Sequence, residues 1–354
     1  MKKGMIAALF VVGLILITSC GPAAPSPVPA TSAPTELTVM THDSFAVSEA
    51  VIQAFEAQNN VKVKFLSAGD TGTALNKAIL SKNAPLADVF YGVDNTFLSR
   101  ALQEDLFEPY TSPMLDKIPV EFQLDSQNRA LPVDYGDVCL NYDIAYFENH
   151  NLTPPQNLSD LVKPEYRDLL VVQNPATSSP GLAFLLATVS VFGQDGYLTF
   201  WQRLKDNNVL VVNDWSSAYN SEFTRYGGTR PIVVSYSSSP PFEMIYAEKP
   251  LEKLTTAAIT SDGSCFRQIE FVGILKGTPD RALAEKWIDF MLSTVFQEDM
   301  PMQMYVFPVN SEAKLSETFQ KYLVNPEKPA QLDPEAIAAN RDAWIAAWTE
   351  LVLH

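Results

Sequence analysis

From residue 36 onward, apolar runs of strand length alternate with amphipathic stretches of helix length. Runs at 37–40, 61–66 and 88–92 read as buried strands. Between and after them 47–58, 73–81 and 96–103 repeat their apolar positions at helical spacing, as Val51, Ile52 and Phe55 do against Glu49, Gln53 and Glu56. This alternation predicts a parallel α/β unit. A second unit begins near residue 135, with strands at 138–142, 169–173, 209–212 and 232–235 and helices at 180–192, 197–205 and 216–224. A strand at 266–275 and a helix at 280–292 then return the chain to the first unit. A last helix, 334–351, carries Ile337, Trp344, Ile345 and Trp348 on one stripe, which reads as packing rather than as a cofactor site.

Open α/β sheets bind ligands beyond the carboxyl ends of their strands. Those ends carry His42 and Asp43, then Asp70 in Ala-Gly-Asp-Thr-Gly, then Asp94; in the second unit they carry Ser178 and Ser179, Trp215, and Tyr236 with Ser237. The segment 174–181, Asn-Pro-Ala-Thr-Ser-Ser-Pro-Gly, precedes the apolar run 182–191 and has the makings of a helix N-terminus. A serine cap, Pro180 in the first turn and Gly181 for close backbone approach suit it to hold an anion or a polar ligand tip. Plainer readings stand beside these: an ordinary capped helix at 174–181, a turn residue at Asp70 and a core residue at Trp215.

Charge and size narrow the function. The chain has 41 acidic against 25 basic residues and a formal net charge of −16. Nucleic acid is therefore excluded as a partner, since its binding needs a basic surface, and a cationic ligand is favoured. About 320 residues after position 35 exceed what one core usually serves, which predicts two lobes and a cleft. Only three histidines occur (His42, His150 and His354), and there is no metal-ligand pair at helical spacing, no Gly-x-Ser-x-Gly elbow and no phosphate loop. The expectation is a binding protein, not an enzyme, with no metal and no cofactor. Cys139 and Cys265 lie in strand-like segments, and a disulfide between them is expected over the plainer reading of two buried thiols.

Residues 1–19 read as a secretory signal: Lys2 and Lys3, an apolar run at 7–17, then Ile-Thr-Ser before Cys20. This arrangement resembles the lipobox of bacterial lipoproteins, which implies lipidation of Cys20. Residues 20–35 are a proline-rich spacer, able to hold a domain about 45 Å from a membrane in polyproline form. No later segment reads as long and apolar enough to cross a bilayer. The expected location is extracytoplasmic, lipid-anchored to the cell membrane.

Seven segments in order carry a wider resemblance: Thr-His-Asp-Ser-Phe-Ala at 41–46, Ala-Asp-Val-Phe-Tyr-Gly-Val-Asp-Asn at 87–95, Pro-Val-Asp-Tyr-Gly at 132–136, Asn-Pro-Ala-Thr-Ser-Ser-Pro-Gly-Leu at 174–182, Trp-Ser-Ser-Ala-Tyr at 215–219, Ser-Tyr-Ser-Ser-Ser-Pro at 235–240 and Arg-Asp-Ala-Trp-Ile-Ala-Ala-Trp at 341–348. The chain resembles the thiamine-binding, periplasmic-type solute-binding proteins of ABC importers. The resemblance implies a two-lobed periplasmic-binding-protein-like (type II) α/β fold with two hinge crossover strands. On this reading lobe 1 takes 36–135 and 266–310, and lobe 2 takes 136–265 and 311–354.

The resemblance further implies a monomer that delivers thiamine, with its phosphate esters as further candidates, to a permease driven by a cytoplasmic ATPase. It places His42, Asp70, Ser178, Ser179, Trp215, Tyr236 and Tyr305 around the ligand: aromatic rings and a carboxylate for the thiazolium cation and its aminopyrimidine, and the serine-bearing helix start for the tail. His42, with an unperturbed pKa of about 6.5, is expected to stack while uncharged and to weaken binding when it protonates. A polyamine binder, for spermidine or putrescine, is the rival within the same architecture. Ferric iron finds no adjacent tyrosine pair.

Overall fold

The computed structural model describes residues 35–354 apart from 248 and 250. The leader, Cys20 and the spacer up to residue 34 lie outside the described residues. The first wing runs β1 (Thr35–Thr41), α1 (Glu49–Asn59), β2 (Val61–Ser67), α2 (Thr71–Leu80), β3 (Val89–Asp94), α3 (Leu98–Gln103) and the short β4 (Phe107–Glu108). Strand β1 pairs in parallel with β2 and β3, as the alternation predicts. Then β5 (Leu131–Asp143) carries the chain to α4 (Ile144–Asn149), β6 (Leu170–Gln173), α5 (Ser179–Asp206), β7 (Leu210–Val212), α6 (Trp215–Ser217), β8 (Ile232–Tyr236), α7 (Ser239–Ile245) and β9 (Thr256–Ile259). Strand β6 pairs in parallel with β7 and β8.

The return strand β10 (Phe266–Leu275) lies between β3 and β5, antiparallel to both. It is followed by α8 (Arg281–Met291), α9 (Thr294–Met304), β11 (Phe307–Pro308), α10 (Glu317–Tyr322) and α11 (Pro334–Leu353). The sheet order is therefore β2-β1-β3-β10-β5-β8-β6-β7, two parallel wings spliced by one long antiparallel pair. β5 starts seven residues before its expected position at 138. Its first half holds Asp134 and Gly136, which break the apolar run that marks a strand in sequence. Cys139 and Cys265 are joined by the expected disulfide one residue beyond the Val138–Phe266 pair, with Cα atoms 4.3 Å apart.

Helix α5 corrects two expectations. The separate helices expected at 180–192 and 197–205 form one run of 28 residues, interrupted only at Gly193, whose φ of 73° is non-helical. By length and composition this run is apolar enough to cross a membrane, contrary to the expectation that no later segment is, but it serves as a core helix, with Leu182, Leu185 and Leu186 fully buried. The α11 stripe packs as expected: Trp348 meets Trp201 of α5 edge-on at 5.4 Å. In place of a helix over 216–224, α6 makes a single turn and passes into a wider turn at Ala218–Glu222.

The disulfide closes a loop across a separation of 126 residues. Replacing both partners, Cys139→Ser with Cys265→Ser, is expected to lower unfolding stability by about 4–5 kcal/mol on chain-entropy grounds. Urea unfolding of the oxidised parent and the double variant measures it, and an unchanged midpoint would contradict it.

Candidate functional site

The strand ends of both wings meet at a partly open cavity. Of the residues singled out in sequence, His42, Asp70, Ser179, Trp215, Tyr236 and Tyr305 line it. Asp70 combines its two readings: its Oδ1 accepts from Thr71 N–H (2.7 Å) at the start of α2, and its Oδ2 accepts from Trp215 N–H (3.1 Å) in the other wing. A second contact across the cleft runs from Gly72 N–H to the Thr177 carbonyl (3.0 Å). Trp215 stacks on Tyr219 with centroids 4.9 Å apart and donates its indole N–H to Ser235 Oγ (3.0 Å), which fixes the ring at the cavity wall. Tyr236 hydrogen-bonds Gln268, and Tyr305, at a φ of 62° at the end of α9, stacks on Phe242 at 4.3 Å.

Five expected residues do not line the cavity. Asp43 is exposed, and its carboxylate is taken by Ser67 Oγ and by Gly69 N–H (2.8 Å), tying two loops of the first wing. Asp94 lies behind the cavity, where its Oδ1 accepts from Thr96 Oγ1 (2.8 Å) and Phe97 N–H. Ser178 and Ser237 are buried, their backbone N–H groups used by the Asn174 and Asp137 carbonyls. Gly181 is needed for packing rather than ligand approach: a Cβ there would lie 2.5 Å from the Gln173 carbonyl oxygen. At the first turn of α5, Ser179 and Pro180 line the cavity, and the buried Ser178 and Ser179 hydroxyls lie beside Asp70 and Asp94.

Glu270 was missed in sequence, and it lines the cavity with Gln268 from β10. Its Oε1 is 3.3 Å from His42 Nε2 and its Oε2 is 3.1 Å from Tyr91 Oη, which also donates to Asp134 Oδ2 (2.6 Å). The available signal was a charged residue inside the apolar run 266–275, and an aspartate inside Pro-Val-Asp-Tyr-Gly. Burial dominates the electrostatics. It raises Asp70, pushes Asp94 up to about 6 and Glu270 up to about 8, and lifts Asp134 well above the carboxylate range with help from the Glu270 charge.

Burial also lowers the His42 pKa, against the pull of Asp70, Asp134, Asp43 and Asp94. His42 is thus neutral to a lower pH than its unperturbed value, which moves the expected weakening of binding downward. Among the described residues no lysine or arginine lines the cavity, and no group of histidine, cysteine and acids is arranged to hold a metal ion. The arrangement suits a flat cation that carries N–H donors.

Residues 84–331 match the family model described as bacterial extracellular solute-binding protein. The chain belongs to that family. It is 33% identical over 321 residues to the thiamine-binding periplasmic protein of Salmonella typhimurium, covering 89% of this chain and 93% of that relative, and 32% identical to its namesake from Escherichia coli at the same coverage. Among solved structures, a periplasmic thiamin binding protein superposes with a TM-score of 0.78 at 29% identity, over 91% of this chain and 98% of the other. A ferric binding protein from Campylobacter jejuni (TM-score 0.72, 19% identity, covering 89% of this chain and 99% of the other) shares the fold alone. The two-lobed, periplasmic-binding-protein fold with crossing strands is thus established for this solute-binding protein.

His42 owes its position to Gly92, whose φ is +104° and where a Cβ would lie 2.4 Å from His42 Cδ2. Gly92→Ala is expected to cost roughly 2–4 kcal/mol of stability through backbone strain and overpacking. Denaturant unfolding measures the loss.

Proposed function

We propose that this protein captures thiamine outside the cytoplasmic membrane and hands it to the permease of an ABC importer. The observation that carries the reading is the cleft itself. Trp215, Tyr236 and Tyr305 offer aromatic surface, Asp70 and Glu270 offer carboxyls, and no lysine or arginine among the described residues opposes a cation there. Relatives that cover nearly the whole chain are named thiamine-binding. Each aromatic contact with the thiazolium is worth about 0.5–2 kcal/mol when partly desolvated, and the hydroxyethyl tail is matched by Ser179. Unesterified thiamine is the favoured ligand, because a phosphate tail brings negative charge toward Asp70 and Asp94.

Tryptophan fluorescence during titration with thiamine, its mono- and diphosphate, and spermidine tests this reading. Thiamine is expected to change the signal at the lowest concentration; a response to spermidine alone would assign the cleft to polyamines. Trp215→Ala is expected to weaken thiamine binding by about 1–3 kcal/mol with a melting temperature close to the parent. Equal losses of melting temperature and binding would place the ring in the core instead.

Lipid attachment at Cys20, after removal of residues 1–19, belongs to the same proposal and rests on the sequence Ile-Thr-Ser-Cys behind an apolar run. A monomer held to the membrane by this lipid keeps the binding unit beside its permease. Cys20→Ala is expected to move the protein from the membrane fraction to the soluble extracytoplasmic fraction, as read by fractionation and immunoblotting.

A further inference from the structure

Three neighbouring strands put an acid at the same level of the sheet. Glu270 of β10 is the register partner of Asp94 on β3 and of Asp134 on β5. All three are at most 4% exposed, and none of them forms an ion pair with lysine or arginine among the described residues. Like charges directly opposed across strands are destabilising even at a surface, and three buried carboxylates without counter-charge are costlier still.

The hydrogen bonds show how the row is tolerated. Tyr91 Oη sits 2.6 Å from Asp134 Oδ2 and 3.1 Å from Glu270 Oε2. A phenol brings one hydrogen, so two such contacts need a second one, and only a protonated carboxyl supplies it. Among the described residues Asp134 Oδ1 and Asp94 Oδ2 lack a hydrogen-bond partner of normal geometry. The groups facing Glu270 are Tyr91 and Asp94 from β3, Asp134 from β5, His42 from the loop after β1, Asp70 from the loop before α2 and Tyr236 from β8. Of these only His42 is basic, and burial keeps it neutral. Arg341 acts on Asp94 from a distance, its guanidinium lying over Phe97.

We propose that the cleft takes up its cationic ligand by proton exchange: the proton shared by Glu270, Tyr91 and Asp134 leaves through the cavity-lining Glu270 to solvent as the cation enters, so that the buried charge is unchanged. This makes the Glu270–Asp134 pair a specificity element. A ligand with a permanent positive charge replaces the proton, whereas a neutral one leaves it in place. The inference rests on the thiamine reading above.

The sign follows from linkage. Glu270, pushed up to about 8 by burial, is held at a lower pKa by a bound cation, so affinity is full above that value and falls as pH drops through it, by up to about tenfold per unit. Isothermal titration of the intact binding unit with thiamine, in buffers of differing ionisation enthalpy, counts the protons. About one proton is expected to be released at pH 7 and almost none above pH 9.

Glu270→Gln is expected to lose most of the release and to flatten the pH dependence of Kd between pH 6 and 8. Asp134→Asn, which keeps the Glu270 carboxyl but removes the acid that shares its proton, is expected to move the pH at which the proton is released. This second variant decides the matter if Glu270→Gln does not fold. Thiamine binding with no proton released at pH 7, or with release unaltered in both variants, overturns the inference and leaves the thiamine reading standing. No thiamine binding at any pH overturns both.

Discussion

The antiparallel pairing of β5 with β10 is the constraint on which the molecule depends. Each strand is long enough to belong to both wings, and their ladder runs from Leu131–Val272 to Val138–Phe266, where the disulfide closes it. Remove that ladder and each wing is a small parallel sheet with an unpaired edge. With it, the sheet is continuous from β2 to β7 and the strand ends of both wings face one crevice. A one-residue slip would turn every side chain of one strand to the opposite face. It would also take Glu270 away from Asp134, so the register that holds the fold together is the one that builds the acidic site.

The site concentrates groups that disfavour folding. Among the described residues, buried carboxyls, an unpartnered histidine nitrogen and unpartnered serine hydroxyls gather in one place, while elsewhere buried Asp125 is paired with Arg129 and buried Asp137 with Arg267. Proteins violate local rules of polar satisfaction chiefly where they function. The cost is offset by the apolar packing on either side, such as Trp287 against Phe55 and Phe290, and Trp201 against Trp348. The cleft can then be electrostatically unsatisfied until a ligand arrives.

Asp70 links this chemistry to the relation between the wings. One carboxylate oxygen caps α2 and the other holds the backbone of Trp215 from the opposite side. A ligand that draws on this carboxyl therefore acts on a contact between the wings, the usual basis of hinge closure in two-lobed binding proteins. Gly72 allows the same approach, since a Cβ there would lie 2.7 Å from the Ala176 carbonyl oxygen.

The sequence by itself determined the alternation of strands and helices, the parallel character of each wing, the return strand at 266–275 and the strand-end placement of His42, Asp70, Ser179, Trp215 and Tyr236. Those are properties of local periodicity and of chain direction, and both are written along one dimension. Tyr305 came only from resemblance, because nothing in Met-Gln-Met-Tyr-Val-Phe marks a ring that will stack on Phe242. Only the tertiary structure decided that Asp43 ties loops, that Gly181 packs on Gln173, and that Asp94, Glu270 and Asp134 share one level of the sheet. Their positions, 94, 134 and 270, are unrelated in sequence. Strand register, set by burial of whole faces over three non-adjacent segments, brings them together, and no pattern within any one segment records it.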